Sequence, residues 1–99
     1  MADKKVTVVA RIKTKAGMEE KVKQELLSLQ VPTRSEPGCI NYDIHQSVDD
    51  KSLFLLYENW ASKDDLDKHF EMTYLKAWRE KAKDLVAAPT EVSFWEMIS

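Results

Sequence analysis

Apolar and polar residues alternate along Lys5 to Thr14. Val6, Val8, Ala10 and Ile12 fall on one side; Thr7, Val9, Arg11 and Lys13 fall on the other. That pattern predicts a β-strand whose second face is partly apolar. Ala16-Gly17 ends it. Met18, Val22, Leu26 and Leu29 then recur at helical spacing, with Glu19, Glu20, Lys21, Lys23 and Glu25 outside, which predicts an amphipathic helix. Pro32 has no amide to bond back to Ser28, so this helix kinks or stops near it. Pro37-Gly38 marks a turn. Two strands follow, Cys39 to Ser47 and Ser52 to Trp60, joined by Val48-Asp-Asp-Lys51 as a hairpin.

The second of these strands carries large apolar side chains on both faces, as a strand covered on two sides does. Leu53, Leu55, Tyr57 and Asn59 alternate there with Phe54, Leu56, Glu58 and Trp60. Ser62-Lys-Asp-Asp65 starts another helix in the manner of a capping box, with Asp in place of the usual Glu. Leu66, His69 and Phe70 share one side of it. A break is expected near Met72-Thr73, with Thr73 as a fresh N-cap, before Leu75, Trp78, Ala82 and Leu85 continue the stripe as far as Pro89. Thr90 to Ile98 alternates again as a last strand. The order β-α-β-β-α-β predicts an α+β, ferredoxin-like fold: an antiparallel four-stranded sheet with helices on one face. Val9, Phe54, Leu56, Trp60 and Trp95 are assigned to the other face. An exposed apolar sheet invites aggregation, so a homodimer packed sheet against sheet is expected.

Composition narrows the function. The 99 residues make a single domain, 1–99, with a thin core. Lys+Arg number 15 and Asp+Glu 17, leaving no basic patch for nucleic acid. No apolar run suits a signal peptide or a membrane span, so a soluble, cytoplasmic protein without a membrane partner is expected. One cysteine, Cys39, can form neither an internal disulfide nor a CxxC metal site.

The strand VARIKTKAG, the turn and strand EPGCINYDIHQS, the strand LFLLYENWAS and the helical DDLDKHFEMTYLKAW together resemble the antibiotic biosynthesis monooxygenase family across nearly the whole chain. The resemblance implies a dimeric α+β barrel. It does not settle the activity, because that family holds cofactor-free oxygenases of hydroquinones and anthrones, haem-degrading enzymes and a signal-sugar isomerase. Haem-degrading members carry an Asn in the first strand, a Trp near the start of the second helix and a His further on. Ala10, His69 and the Ala77-Trp78-Arg79 region stand at those places here, which argues against haem degradation. The closest resemblance is to the small quinol-type monooxygenases, which share a His in the place of His69.

Oxygenation without a flavin or a metal needs an electron-rich substrate, a dry aromatic pocket, a base and donors to steady an oxyanion. His69, on an apolar helix flank, is the candidate base; the alternative is a histidine bonded to a backbone carbonyl or an Asn. Tyr42, Tyr57, Asn59, Phe70, Tyr74 and Trp78 are the candidate substrate-binding residues, and Trp60 completes the aromatic set. Glu58 either pairs with Arg11 on a neighbouring strand or forms a Glu–His pair across the pocket. Arg34 and Arg79 hold an oxyanion or lie on solvated faces. His45 is structural or interfacial, and Cys39 is a small buried filler. The expected function is cofactor-independent monooxygenation of a small aromatic or quinol-type substrate by O2, with no cofactor and no metal. The alternatives are isomerisation of a small hydroxy-ketone and non-catalytic ligand binding by a dimer.

Overall fold

The computed structural model describes residues 4–99. Its elements are β1 (Val6–Lys13), α1 (Glu19–Ser28), α2 (Gln30–Arg34), β2 (Cys39–Gln46), β3 (Leu53–Trp60), α3 (Lys63–Phe70), α4 (Thr73–Leu85) and β4 (Glu91–Trp95). The four strands form one antiparallel sheet in the order β2-β3-β1-β4. This is the ferredoxin-like arrangement, with helices against one face. No helix of the described residues is long and apolar enough to cross a membrane.

Register decides which side chains meet the helices. Val6, Val8, Ala10 and Ile12 lie opposite Trp60, Glu58, Leu56 and Phe54, and all eight share the helix-facing side. Phe54, Leu56 and Trp60 are therefore core residues, packed with Val22, Leu26, Leu66 and Leu75 from the helices. Their assignment to the outer face is reversed. Val9 and Trp95 do occupy the outer face, and Leu55 and Tyr57 take the place of Phe54, Leu56 and Trp60 there, opposite or beside Thr7, Asn59 and Asn41.

Local chemistry sets the breaks. The first helical segment ends at Ser28 and a short second one carries Pro32 in its opening turn, where the missing amide has no helical partner to lose. Ser62 caps α3, its Oγ accepting the Asp65 amide at 3.2 Å. Met72 rather than Thr73 stands at the N-cap of α4, with no side-chain cap, and its carbonyl accepts the Leu75 and Lys76 amides. In the hairpin, the Ser47 hydroxyl accepts the amides of Asp49 and Asp50, and Asp50 accepts that of Ser52. The last strand stops at Trp95, short of the expected Ile98.

Candidate active site

Gly38 is where the site begins. Glu36-Pro37-Gly38-Cys39 closes a turn, the Cys39 amide donating to the Glu36 carbonyl at 3.0 Å. A Cβ on Gly38 would lie 2.2 Å from the Asp65 Cβ, so only glycine lets this turn lie against the first turn of α3. The Ala61 amide donates to the Gly38 carbonyl at 2.8 Å and locks the two together. Glu36 is thereby delivered to the inner flank of α3, where Leu66, His69 and Phe70 recur at helical spacing.

Glu36 and His69 are both buried and meet at 2.8 Å, Oε2 to Nδ1. The Tyr74 hydroxyl donates to the same Glu36 oxygen, and Tyr74 also reaches the Pro32 carbonyl at 3.3 Å. An ionised carboxylate offers only lone pairs, so Nδ1 carries the hydrogen and Nε2 is left as the basic nitrogen. The ring is held from its other sides by Trp60, at 4.6 Å between centroids, and by the edge of Tyr42 at 6.0 Å. Burial disfavours the imidazolium and lowers the His69 pKa below its usual 6.5, with Glu36 pulling the other way. The ring is thus a neutral base at physiological pH.

His69 lines a cavity of about 350 Å³ between the sheet and the helices. Its walls are apolar, from Val8, Ala10, Ile12 and Leu56 on the sheet side and Phe70, Leu75 and Trp78 on the helix side. Tyr42 and Glu58 add polar atoms, and Arg79 and Lys83 stand among the lining residues from the exposed flank of α4. Glu58 accepts the Trp60 Nε1–H at 2.9 Å, and its pKa is pushed up to about 7, chiefly by burial. A second cavity, of about 470 Å³, lies between α3 and the C-terminal strand. It is larger, but its ionisable lining residues Lys63, Asp67 and Glu96 are exposed, whereas the first cavity holds buried ones.

Of the residues singled out in the sequence, Tyr42, His69, Phe70 and Trp78 converge on the first cavity. Tyr74 stands behind it, as a support for Glu36. Tyr57 and Asn59 are not brought there. They point from the outer face of β3, where Asn59 accepts from Thr7 Oγ1 at 2.5 Å and donates to Asn41 at 2.8 Å. The expected Glu58–Arg11 pair does not form, because the two side chains leave opposite faces of the sheet. The alternative Glu58–His pair does not form either: Glu58 accepts from Trp60, and His69 pairs with Glu36 instead. Arg34 is committed to the Tyr42 carbonyl, at 3.1 Å, and to Asp43, while Arg79 donates to the carbonyl of Phe70 at the end of α3. His45 lies exposed on the outer face. Burial raises the Cys39 pKa to about 11, which keeps the thiol protonated and fits its reading as filler. Among the described residues, no three His, Cys, Asp or Glu side chains gather to hold a metal ion.

The family model of the antibiotic biosynthesis monooxygenases matches residues 5–81. The chain belongs to this family. The antibiotic biosynthesis monooxygenase match runs from β1 into α4, and so covers every residue of the His69 cluster. The chain is 33% identical over 96 residues to sll1783 of Synechocystis, an uncharacterised protein, covering 97% of the chain but 65% of that relative's length. It is 29% identical over 87 residues to YcnE of Bacillus subtilis, named as a candidate monooxygenase, covering 88% of the chain and 92% of YcnE. The crystal structure of PA3566 from Pseudomonas aeruginosa superposes with a TM-score of 0.93 at 25% identity, covering 100% of this chain and 99% of that one.

Proposed function

We propose that the chain is a cofactor-independent monooxygenase of a small, apolar, electron-rich aromatic such as a hydroquinone or an anthrone. The single observation that carries the reading is the Glu36–His69 pair in the wall of an apolar cavity. A substrate O–H or C–H acid placed against Nε2 loses its proton to His69. The resulting anion can pass an electron to O2 and combine with it. Phe70, Leu75 and Trp78 keep the anion dry, and dry surroundings raise its reducing power. The volume of about 350 Å³ is at the small end of ligand sites, which span roughly 300–1,000 Å³, and suits one small ring system. Tyr42, Phe70 and Trp78 contact the substrate in this reading. Tyr57 and Asn59 belong instead to a homodimer interface formed by the outer sheet face.

Oxygen uptake by metal-stripped protein, followed across a panel of hydroquinones and anthrones, tests this. The expected result is uptake above autoxidation that falls about a hundredfold in His69→Gln. Uptake equal to autoxidation, or unchanged in that variant, overturns it. A second reading, proton-transfer isomerisation of a small hydroxy-ketone, is favoured by one observation: a second buried proton-bearing group, Glu58, shares the cavity. Turnover that persists without oxygen separates the two.

A further inference from the structure

Glu58 is a buried acid that proton abstraction by His69 leaves unused. It lines the same cavity as His69. Its Oε1 accepts the Trp60 indole N–H at 2.9 Å, and among the described residues no cation pairs with it. Trp60 also packs against the His69 ring at 4.6 Å, so the base and the acid flank one indole. Tyr42, opposite Glu58 in the strand register, lies edge-on to the His69 ring from another side, with 6.0 Å between ring centroids. A carboxyl buried on one hydrogen bond and no cation is costly, and glutamine or leucine would fill the space at less cost. Packing does not ask for an acid here.

Oxygenation does ask for one. We infer that, in the oxygen chemistry proposed above, on which this assignment rests, Glu58 is the acid that protonates the oxygen atom lost as water. For anthrone, His69 Nε2 takes a proton from the ring CH2 and leaves a delocalised carbanion. One electron passes from it to O2, and the two radicals combine, forming a C–O bond to a peroxide anion. The imidazolium returns its proton to the distal oxygen. Nε2 then takes the remaining hydrogen of that carbon as a proton; its electron pair forms the C=O bond and the O–O bond breaks. Glu58 gives its proton to the departing oxygen, which leaves as water. The imidazolium proton passes back to the Glu58 carboxylate, through water entering the vacated cavity, and both groups are reset. The carbon loses the four electrons that O2 gains.

Anthrone is the probe, with oxygen uptake, anthraquinone and peroxide measured together in the wild type, Glu58→Gln and Glu58→Asp. The wild type should form one anthraquinone per O2 without peroxide. In Glu58→Gln oxygen is still consumed, but anthraquinone formation slows about a hundredfold and hydroperoxide accumulates; Glu58→Asp falls between. In the wild type, the peroxide fraction should rise as pH climbs through about 7, where Glu58 loses its proton. Of the other groups on this cavity, His69 ionises below 6.5 and burial pushes Tyr42 upward, while Arg79 and Lys83 are cations near its rim and Glu36 lies behind His69. Coupled anthraquinone formation at the wild-type rate in Glu58→Gln overturns the assignment and leaves the monooxygenase reading standing. Wild-type uptake no faster than autoxidation, with both anthrone and alkyl hydroquinones, overturns both. Should Glu58→Gln not fold, the wild-type pH series decides: a flat peroxide fraction between about pH 6 and 8 overturns the assignment.

Discussion

Nδ1 of His69 lies 2.8 Å from Oε2 of Glu36, although the two residues are 33 positions apart in the chain. The contact joins the turn after α2 to the last turn of α3, and it sets which ring nitrogen is basic. An anionic oxygen that accepts from both Nδ1 and Tyr74 orients the ring and keeps Nε2 free of hydrogen.

Glu36→Gln should remove the charge while keeping the shape. A glutamine carbonyl can stand where Oε2 does and accept from both donors, but it carries no charge to stabilise the imidazolium that forms when His69 takes a proton. We expect kcat on a hydroquinone to fall at least about tenfold with a smaller change in KM, and the nitrogen NMR signals of His69 to show the imidazolium forming only at lower pH than in the wild type. A variant with wild-type kcat and an unmoved His69 titration would show that Glu36 only fills space. Tyr74→Phe, which removes one donor and leaves the carboxylate, should cost activity less than Glu36→Gln does.

Stability should reveal Glu58 independently of activity. Its pKa rises from 4.5 to about 7 on folding. Between those values the native chain holds a proton that the unfolded chain has released, so this group's contribution to stability declines as pH rises. The displacement corresponds to about 3 kcal/mol, fully felt above about pH 7. His69 acts in the opposite sense. With its native pKa below 6.5, the unfolded chain takes up a proton first as pH falls, and stability is lost on the acid side. The comparison with Glu58→Gln cancels that effect, because His69 is present in both proteins. The variant should be about 1–3 kcal/mol more stable at pH 8 and close to wild type near pH 4.5, in urea denaturation at each pH. An equal difference at both pH values would mean that Glu58 is not protonated on folding.

These two carboxylates mark where the sequence stopped being readable. Alternation in β3 divides its side chains into two sets, but both sets contain large apolar groups, so alternation alone does not say which set faces inward. Grouping Glu58 with Phe54, Leu56 and Trp60 was correct; placing that set outside was not, and the pair with Arg11 followed from the same inversion. Glu36 was harder. It sits in a turn, where no periodicity reports burial, and its partner is set by a close approach at Gly38 that only the folded chain reveals. A histidine on an apolar flank signals that some partner exists, yet not which one. His69, Phe70 and Trp78 were legible because helical spacing places a residue on a flank without reference to the rest of the fold. Tyr42 was legible as an aromatic of the second strand, but its place opposite Glu58 came from the register.

The Gly38 approach is itself testable. Gly38→Ala places a methyl group 2.2 Å from the Cβ and Cγ of Asp65, and neither atom is the free end of a flexible side chain. The turn and α3 must separate, at a cost of about 1–3 kcal/mol. The Glu36–His69 contact should lengthen with them, so activity should fall along with stability. A melting temperature and kcat both at wild-type values would show that the approach is looser than the geometry implies.

The outer sheet face carries the last prediction. Val9, Leu55, Tyr57 and Trp95 surround a hydrogen-bonded row running from Thr7 through Asn59 to Asn41. Tyr57 is 40% exposed and Trp95 59% exposed in the single chain, while Asn59, held inside the row, is only 4% exposed. Apolar groups around a satisfied polar centre suit burial against a second copy, because the row needs no water to complete it. A stable interface of this kind removes about 800 Å² from each partner, an area within reach of a four-stranded sheet. Sedimentation equilibrium should give a dimer at micromolar concentration. Tyr57→Arg puts a charge opposite its own symmetry mate or against apolar neighbours, and should weaken association by about 2 kcal/mol or more, roughly a thirtyfold rise in Kd. The substitution is on the face opposite the cavity, so Glu36 and His69 should keep their contact in whatever monomer remains folded. A wild-type chain that sediments as a soluble, folded monomer at these concentrations would rule out the interface.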